Sequence, residues 1–431
     1  MTAIARLAAQ DAQASAPPRA RSPERTDAPP EIVLDLSRLL SRMLHPTPTG
    51  VDRVEMAYAQ HLLRLAPERL SFAATHPAGL HGRLPTAAVR AFLEATADRW
   101  ETEGQVEAGR AAWRRALGAG VRLLPGRPAA RPAGRRRVYL HLSARSLERT
   151  PLFQAVLRRE QARLVAFVHD LIPLDYPEYA RPKGPALYRR KIATVTALAS
   201  GVIVNSWATA MALGPYATAA GRSLAVHVAP LGADVAHAAG ARAAPPGQAR
   251  PYFVALGTIE PRKNHLLLLT IWRRLVERLG PDRTPRLVLV GRRGWENENI
   301  LDLLDRCPAL KGVVEEQARL SDAAMRTVLG GARALLFPSF AEGYGLPLVE
   351  ALALGVPVLA SDLPALREAG GETPDYLDPL DGPAWIRAIL DHARPDSPLR
   401  ARQLESLARW QAPTWDAHVR SALAFIDGIA G

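Results

Sequence analysis

Ten short apolar runs, separated by longer stretches with apolar residues at three- and four-residue spacing, constrain the fold of this 431-residue chain more than any other feature. Five lie in the first half: IVLDLS (32–37), VYLHLS (138–143), LVAFVH (164–169), VIVN (202–205) and AVHVAP (225–230). Five follow in the second: YFVALG (252–257), RLVLVG (286–291), GVVEE (312–316), RALLFP (333–338) and VPVLAS (356–361). Most are near-continuous rather than alternating, so both faces of each strand are buried and the intervening helices supply the cover. The pattern predicts an α/β protein with two doubly wound parallel sheets, and the length suits two domains. Ligands of such sheets bind beyond the carboxyl ends of the strands.

Composition marks the divisions. Residues 1–30 read as a disordered leader, without the sustained apolar centre of a secretory signal. Residues 31–236 make a first Rossmann-like domain, 237–250 a linker of small residues with Pro and Gly, 251–409 a second Rossmann-like domain, and 410–431 a terminal helical segment. Region 76–136, helical at first and then basic in PGRPAARPAGRRR, has no assigned role.

Cys307 is the only cysteine, which excludes an intramolecular disulfide and a cysteine metal cage and fits a reducing, cytoplasmic setting. The longest apolar runs, such as LLLLTIW (266–272), are far too short to span a bilayer. Net charge is +13, and a basic surface suits an anionic membrane, a phosphate-bearing substrate or nucleic acid. Arginine supplies 51 of the 55 basic residues, so composition bias accounts for part of that charge.

Four motifs carry chemistry. In SFAEGYGLPLVEALALG (339–355), Glu342 sits in a loop after a strand and Glu350 in a helix entered through Pro347 and stopped by Gly355. Gly345 and Leu346 stand where an N-cap belongs and offer no side-chain oxygen, so the open amides and the helix dipole suit a phosphate. In VALGTIEPRKNHLLLL (254–269), Arg262 and Lys263 occupy a strand-to-helix turn, and Lys263 is one of only four lysines. A cation there can hold a diphosphate. His169 and Asp170 end the strand LVAFVH, and Gly50 lies in the turn of HPTPTGVDRVE (45–55).

The glycine spacing matches neither a dinucleotide fingerprint nor a P-loop, and no H-E-x-x-H or G-x-S-x-G is present. No zinc-finger, RRM or KH signature accompanies the charge, so no nucleic-acid partner is expected.

Together these motifs resemble glycosyltransferase family 4, the retaining, sugar-nucleotide-dependent enzymes with the two-domain GT-B fold. EGYGLPLVE is similar to that family's E-x7-E pattern, and GTIEPRKN, HDLIPL, TGVDRVE, APLGADV (229–235) and LVLVGRRGW are similar to its other patches; the resemblance spans about 31–431. The HDLIPL and GTIEPRKN variants most resemble mannosyltransferases of bacterial surface-polysaccharide assembly. GDP-mannose is then the expected donor, with a UDP-sugar (glucosyl-type) transferase of the same family as the alternative; a sugar-nucleotide epimerase, which shares the architecture, and a nucleic-acid-binding protein are the competitors from other classes.

The resemblance implies roles. Glu350 would hold the ribose hydroxyls, and Glu342 would face the transferred sugar with the amides of Gly343, Tyr344, Gly345 and Leu346. Lys263, with Arg262, would neutralise the diphosphate; many members carry Arg where this chain has Thr258, and Arg262 is its substitute. His169, with Asp170, would contact the donor sugar, and Gly50 would let the first-domain loop approach the phosphates. The first domain would face the acceptor, the second the donor, and the segment 410–431 would return to the first domain. Neither metal nor cofactor is implied. The partners would be a nucleotide-diphosphate sugar, a glycan acceptor carried on an isoprenoid lipid, and the anionic inner face of the cell membrane.

Overall fold

The computed structural model describes residues 28–43, 45, 47–76, 79–102, 114, 118, 123, 136–233 and 250–430. Most of the expected leader, of the linker and of the basic loop before 136 lies outside the described residues.

The first sheet has seven strands: β1 (Glu31–Asp35), β2 (Leu70–Thr75), β3 (His81–Leu84), β4 (Arg137–His141), β5 (Arg163–Val168), β6 (Ala199–Val204) and β7 (Ala225–Val228). Their order is β3-β2-β1-β4-β5-β6-β7. All pairings are parallel except that of β3, an antiparallel edge strand whose His81 faces Thr75 of β2. The second sheet holds β8 (Tyr252–Leu256), β9 (Arg286–Val290), β10 (Val314–Gln317), β11 (Leu335–Phe337), β12 (Val358–Ser361) and β13 (Asp375–Leu377), ordered β10-β9-β8-β11-β12-β13. Each sheet thus reverses its winding once, between β1 and β4 and between β8 and β11. Those reversals are where the loops leaving two neighbouring strands part and a crevice opens.

All ten apolar runs become strands, while β2, β3 and β13 add to them. LSFAAT of β2 mixes small polar residues into its run, and β13 is three residues long, so neither shows the apolar signal of its neighbours. The helix Thr86–Thr102, within the stretch that had no assigned role, belongs to the first domain's core: Val89, Phe92, Leu93 and Trp100 form its buried stripe.

The helix Trp415–Ala430 lies on the first domain. Tyr58 and the carbonyl of Pro230 bond the two ring nitrogens of His418 (2.8 and 2.9 Å), and Arg163 donates to the carbonyl of Ile429 (2.7 Å). At Gly232 an added Cβ would stand 2.1 Å from the Trp415 amide nitrogen, so this crossing needs glycine.

Candidate active site

The reversal between β8 and β11 sets the site, because the chain leaves both strands side by side. After β8, Gly257 has φ 141°, a conformation glycine adopts freely, and the turn Pro261–Lys263 follows. After β11, the loop carries Glu342 back over that turn. Lys263 Nζ donates to Glu342 Oε1 at 2.5 Å and lies 4.6 Å from the centre of the Phe337 ring, while Arg262 Nη1 pairs with Oε2 at 2.9 Å. Both members of the lysine pair are nearly enclosed, with side chains 10% and 8% exposed.

Burial alone would push the Glu342 carboxyl up; the Arg262 and Lys263 charges outweigh it and hold it at about 2. Burial sets Lys263 below the usual lysine range while Glu342 counters it, and with the carboxylate held ionised the proton stays on the lysine. Arg262 has little left to offer a ligand. It also donates to Glu260 (2.8 and 3.1 Å) and to the Ala341 carbonyl (2.6 Å), so in this geometry it positions Glu342.

The helix Leu346–Ala353 starts at Gly345, whose φ is 102°, and no side chain caps its first amides. Glu350 lies on its second turn and, with Leu346, lines the cleft. Gly343 is where the domains touch: an added Cβ would stand 2.2 Å from the His169 carbonyl oxygen and 2.9 Å from Asp170 Cβ. Ser206 Oγ donates to the Gly343 carbonyl (2.7 Å), and the Tyr344 hydroxyl donates to the carbonyl of Leu231 (2.8 Å). Glu368 accepts from the amides of Trp207 and Ala208 (2.6 and 2.8 Å), a second bridge between domains.

From the first domain, His169 donates from Nε2 to the Leu142 carbonyl at 2.8 Å, which leaves Nδ1 unprotonated in the neutral ring. Asp170 Oδ1 accepts from the amide of Ile172, and burial pushes its carboxyl up. The turn at Gly50 is fixed by Asp52, which accepts from the Thr49 amide (2.7 Å), Arg38 Nε (2.6 Å) and Arg42 Nε (2.7 Å). Leu346 Cδ1 would meet a Cβ at Gly50 at 3.6 Å, an ordinary contact.

All twelve residues singled out in the sequence line one interdomain cleft of about 590 Å³. Glu260, Arg38, Arg42, Asn205 and Arg292 line it too and were not anticipated. Arg38 and Arg42 follow a strand end at one-turn spacing, a signal hidden by the abundance of arginine. Among the described residues no three His, Cys, Asp or Glu side chains converge as a metal site.

The buried histidines predict a pH dependence. His169, His265 and His418 are each held down to about 4, burial being the main cause. Unfolded, they protonate near 6.5, so the folded state binds fewer protons in between. Their contribution is fully present above pH 6.5 and is lost as pH falls towards 4. Urea unfolding is expected to show roughly 1–2 kcal/mol less stability per histidine at pH 5 than at pH 7.5. Equal midpoints would contradict this.

Two Rossmann-like sheets meeting at a cleft between their carboxyl ends define a GT-B protein, as the resemblance implied. Within it, residues 250–394 match the family model "Glycosyl transferases group 1", and the chain carries a domain of that glycosyltransferase family. Among similar proteins is O-antigen chain mannosyltransferase B of Escherichia coli, 33% identical over 165 residues, covering 38% of this chain and 42% of that one. O-antigen chain mannosyltransferase RfbU of Salmonella typhimurium is 29% identical over 142 residues, 32% of this chain and 37% of that one. The chain spans less than half the length of these relatives. A crystal structure of HepE from Anabaena in complex with UDP and glucose superposes with a TM-score of 0.58 at 14% identity, covering 92% and 99% of the two chains, a likeness of fold.

Proposed function

We propose that the chain is a retaining hexosyltransferase that moves mannose from GDP-mannose to a glycan in cell-surface polysaccharide assembly. The observation that carries the reading is the Lys263–Glu342 pair facing an uncapped helix N-terminus across the cleft from His169. The names of the relatives, O-antigen mannosyltransferases, support mannose as the sugar.

The difficult step is departure of the nucleoside diphosphate. As the bond from the anomeric carbon to the phosphate oxygen breaks, charge grows on the diphosphate, and Lys263 and the first amides of the helix Leu346–Ala353, which line the same cleft, are the groups that stabilise it in this reading. The acceptor hydroxyl attacks the same face of the sugar and its proton passes to the departing phosphate. Glu350 holds the ribose, Glu342 orients Lys263 and faces the sugar, and His169 contacts the sugar from the first domain. No residue here has to ionise or deprotonate for turnover at neutral pH.

The acceptor is read as an isoprenoid-lipid-linked glycan met at the cytoplasmic face of the membrane. The +13 charge supports this, as do Trp207 (66% exposed) and Met211 (75% exposed), one helical turn apart. Protein that stays wholly in solution with anionic vesicles at low salt would remove this part of the reading.

The test is incubation with GDP-mannose or UDP-glucose and a mannosyl acceptor, with the product's anomeric configuration read by NMR. Transfer from GDP-mannose with the α configuration retained is expected. Transfer from UDP-glucose alone replaces the donor, and an inverted product overturns the mechanism.

A further inference from the structure

A second cavity, of about 430 Å³, lies between the domains, and Arg53, Asp322, Met325, Leu346 and Glu350 line both it and the interdomain cleft. Residues that face both spaces form the wall between them. Charge holds that wall together. Arg53, on the helix Gly50–Leu65 of the first domain, donates from Nη1 and Nη2 to the two carboxylate oxygens of Asp322, on the helix Asp322–Gly330 of the second, at 2.8 and 2.5 Å. One turn further along the second helix, Arg326 pairs with Glu101 of the helix Thr86–Thr102.

Asp322 and Arg326 stand four residues apart with opposite charges, the spacing at which such groups pair with each other on one helix. Each instead takes a partner of opposite sign from the first domain. A planar guanidinium that meets a carboxylate through two parallel bonds fixes direction as well as distance. With side chains 29% and 15% exposed, the Arg53–Asp322 pair is partly withdrawn from water, where charges attract more strongly than on an open surface.

What the pair joins gives it a role. Arg53 stands three residues after Gly50, in the turn that Asp52 fixes through Thr49, Arg38 and Arg42. Asp322 stands just after Ser321, whose hydroxyl oxygen accepts from the Ala324 amide at 3.1 Å and caps the helix. Gln317, Ala318 and Leu320, immediately before that cap, line the cleft. The pair thus ties the Gly50 turn of one domain to the segment leaving β10 of the other, on the wall that also carries Glu350.

We propose that Arg53 and Asp322 are positioning residues: their pair sets the Gly50 turn against the donor held on the second domain and keeps the wall beside Glu350 shut during transfer. The inference rests on the transferase reading, in which Glu350 holds the ribose.

Two measurements test it. Initial rates and calorimetric GDP titrations are compared for wild type, Arg53→Ala, Asp322→Ala and the double alanine variant. Each single variant is expected to lower kcat by about 10-fold, as a small misplacement of reacting groups does, and to keep GDP affinity within about twofold, since the nucleotide sits on the second domain. The double variant should lose no more than either single, because both substitutions remove the same pair. A fall in GDP affinity as large as the fall in kcat makes these residues direct ligands and overturns the proposal. Losses that multiply in the double variant overturn it too, as does wild-type kcat in both singles.

The second measurement needs no turnover. Arg53→Glu sets like charges against each other across the domains, so small-angle X-ray scattering should show a larger radius of gyration, and adding Asp322→Arg should restore the wild-type value. An unchanged radius of gyration in Arg53→Glu overturns the proposal. A wild type that binds no GDP, yet opens with Arg53→Glu and closes again with Asp322→Arg, would sink the transferase reading and leave Arg53 and Asp322 as the pair that sets the domains.

Discussion

Lys263→Ala is expected to lower turnover by about 100- to 1,000-fold, the loss that follows removal of one preorganised group aimed at developing charge. The nitrogen of Lys263 is fixed by Glu342 at 2.5 Å and nearly enclosed, so no reorganisation is needed when charge appears on the leaving diphosphate. The same environment makes the variant interpretable. With Lys263 gone, Glu342 keeps Arg262 at 2.9 Å and its charge remains compensated, so folding is retained. Removing Glu342 instead leaves Lys263 without its carboxylate and Arg262 with Glu260 alone, at a cost of about 3–5 kcal/mol. Glu342→Gln, which keeps the shape, is the better probe there. Initial rates beside thermal melts separate the effects, and wild-type turnover in Lys263→Ala would overturn its role.

Gly343→Val is expected to cost about 100-fold in turnover by a different route, since a misplacement of about 1 Å between reacting groups is enough. The added Cβ meets backbone, the His169 carbonyl oxygen at 2.2 Å, so no side chain can swing away. The domains must part, and with them go the bonds from Ser206 to the Gly343 carbonyl and from Tyr344 to Leu231. In the proposed reading the nucleotide sits on the second domain, so its affinity should change little and the loss appears in kcat and in the acceptor KM. Gly355→Ala is the control: its φ of 75° makes alanine strained by roughly 1–2 kcal/mol, yet nothing lies within 4 Å. Equal turnover losses in the two variants would show that Gly343 matters only for stability.

The reading from sequence reached far where one local signal sufficed. Each β-branched run announced its strand, and Gly345 and Leu346 announced an uncapped helix start. Partnerships across the chain were less legible. Glu342 and Lys263 are 79 positions apart, and they meet because β8 and β11 are neighbours, a fact of topology rather than pattern. The engagement of Arg262 with Glu260 depends on a turn of three residues whose side-chain directions no periodicity encodes. Arg38 and Arg42 were invisible among 51 arginines until the fold set them on the wall of the cleft. The helix Thr86–Thr102 carries an ordinary buried stripe, but nothing local says which sheet it covers.

The central claim is that the second domain holds a nucleoside diphosphate between Lys263 and Glu350. Calorimetric titration of GDP into wild type, Lys263→Ala and Glu350→Ala tests it most directly. Single-site binding is predicted, weakened by about 10-fold or more in each variant through loss of a charge-assisted contact. GDP binding with undiminished affinity in both variants, or no binding of GDP, UDP or ADP to wild type, would contradict it.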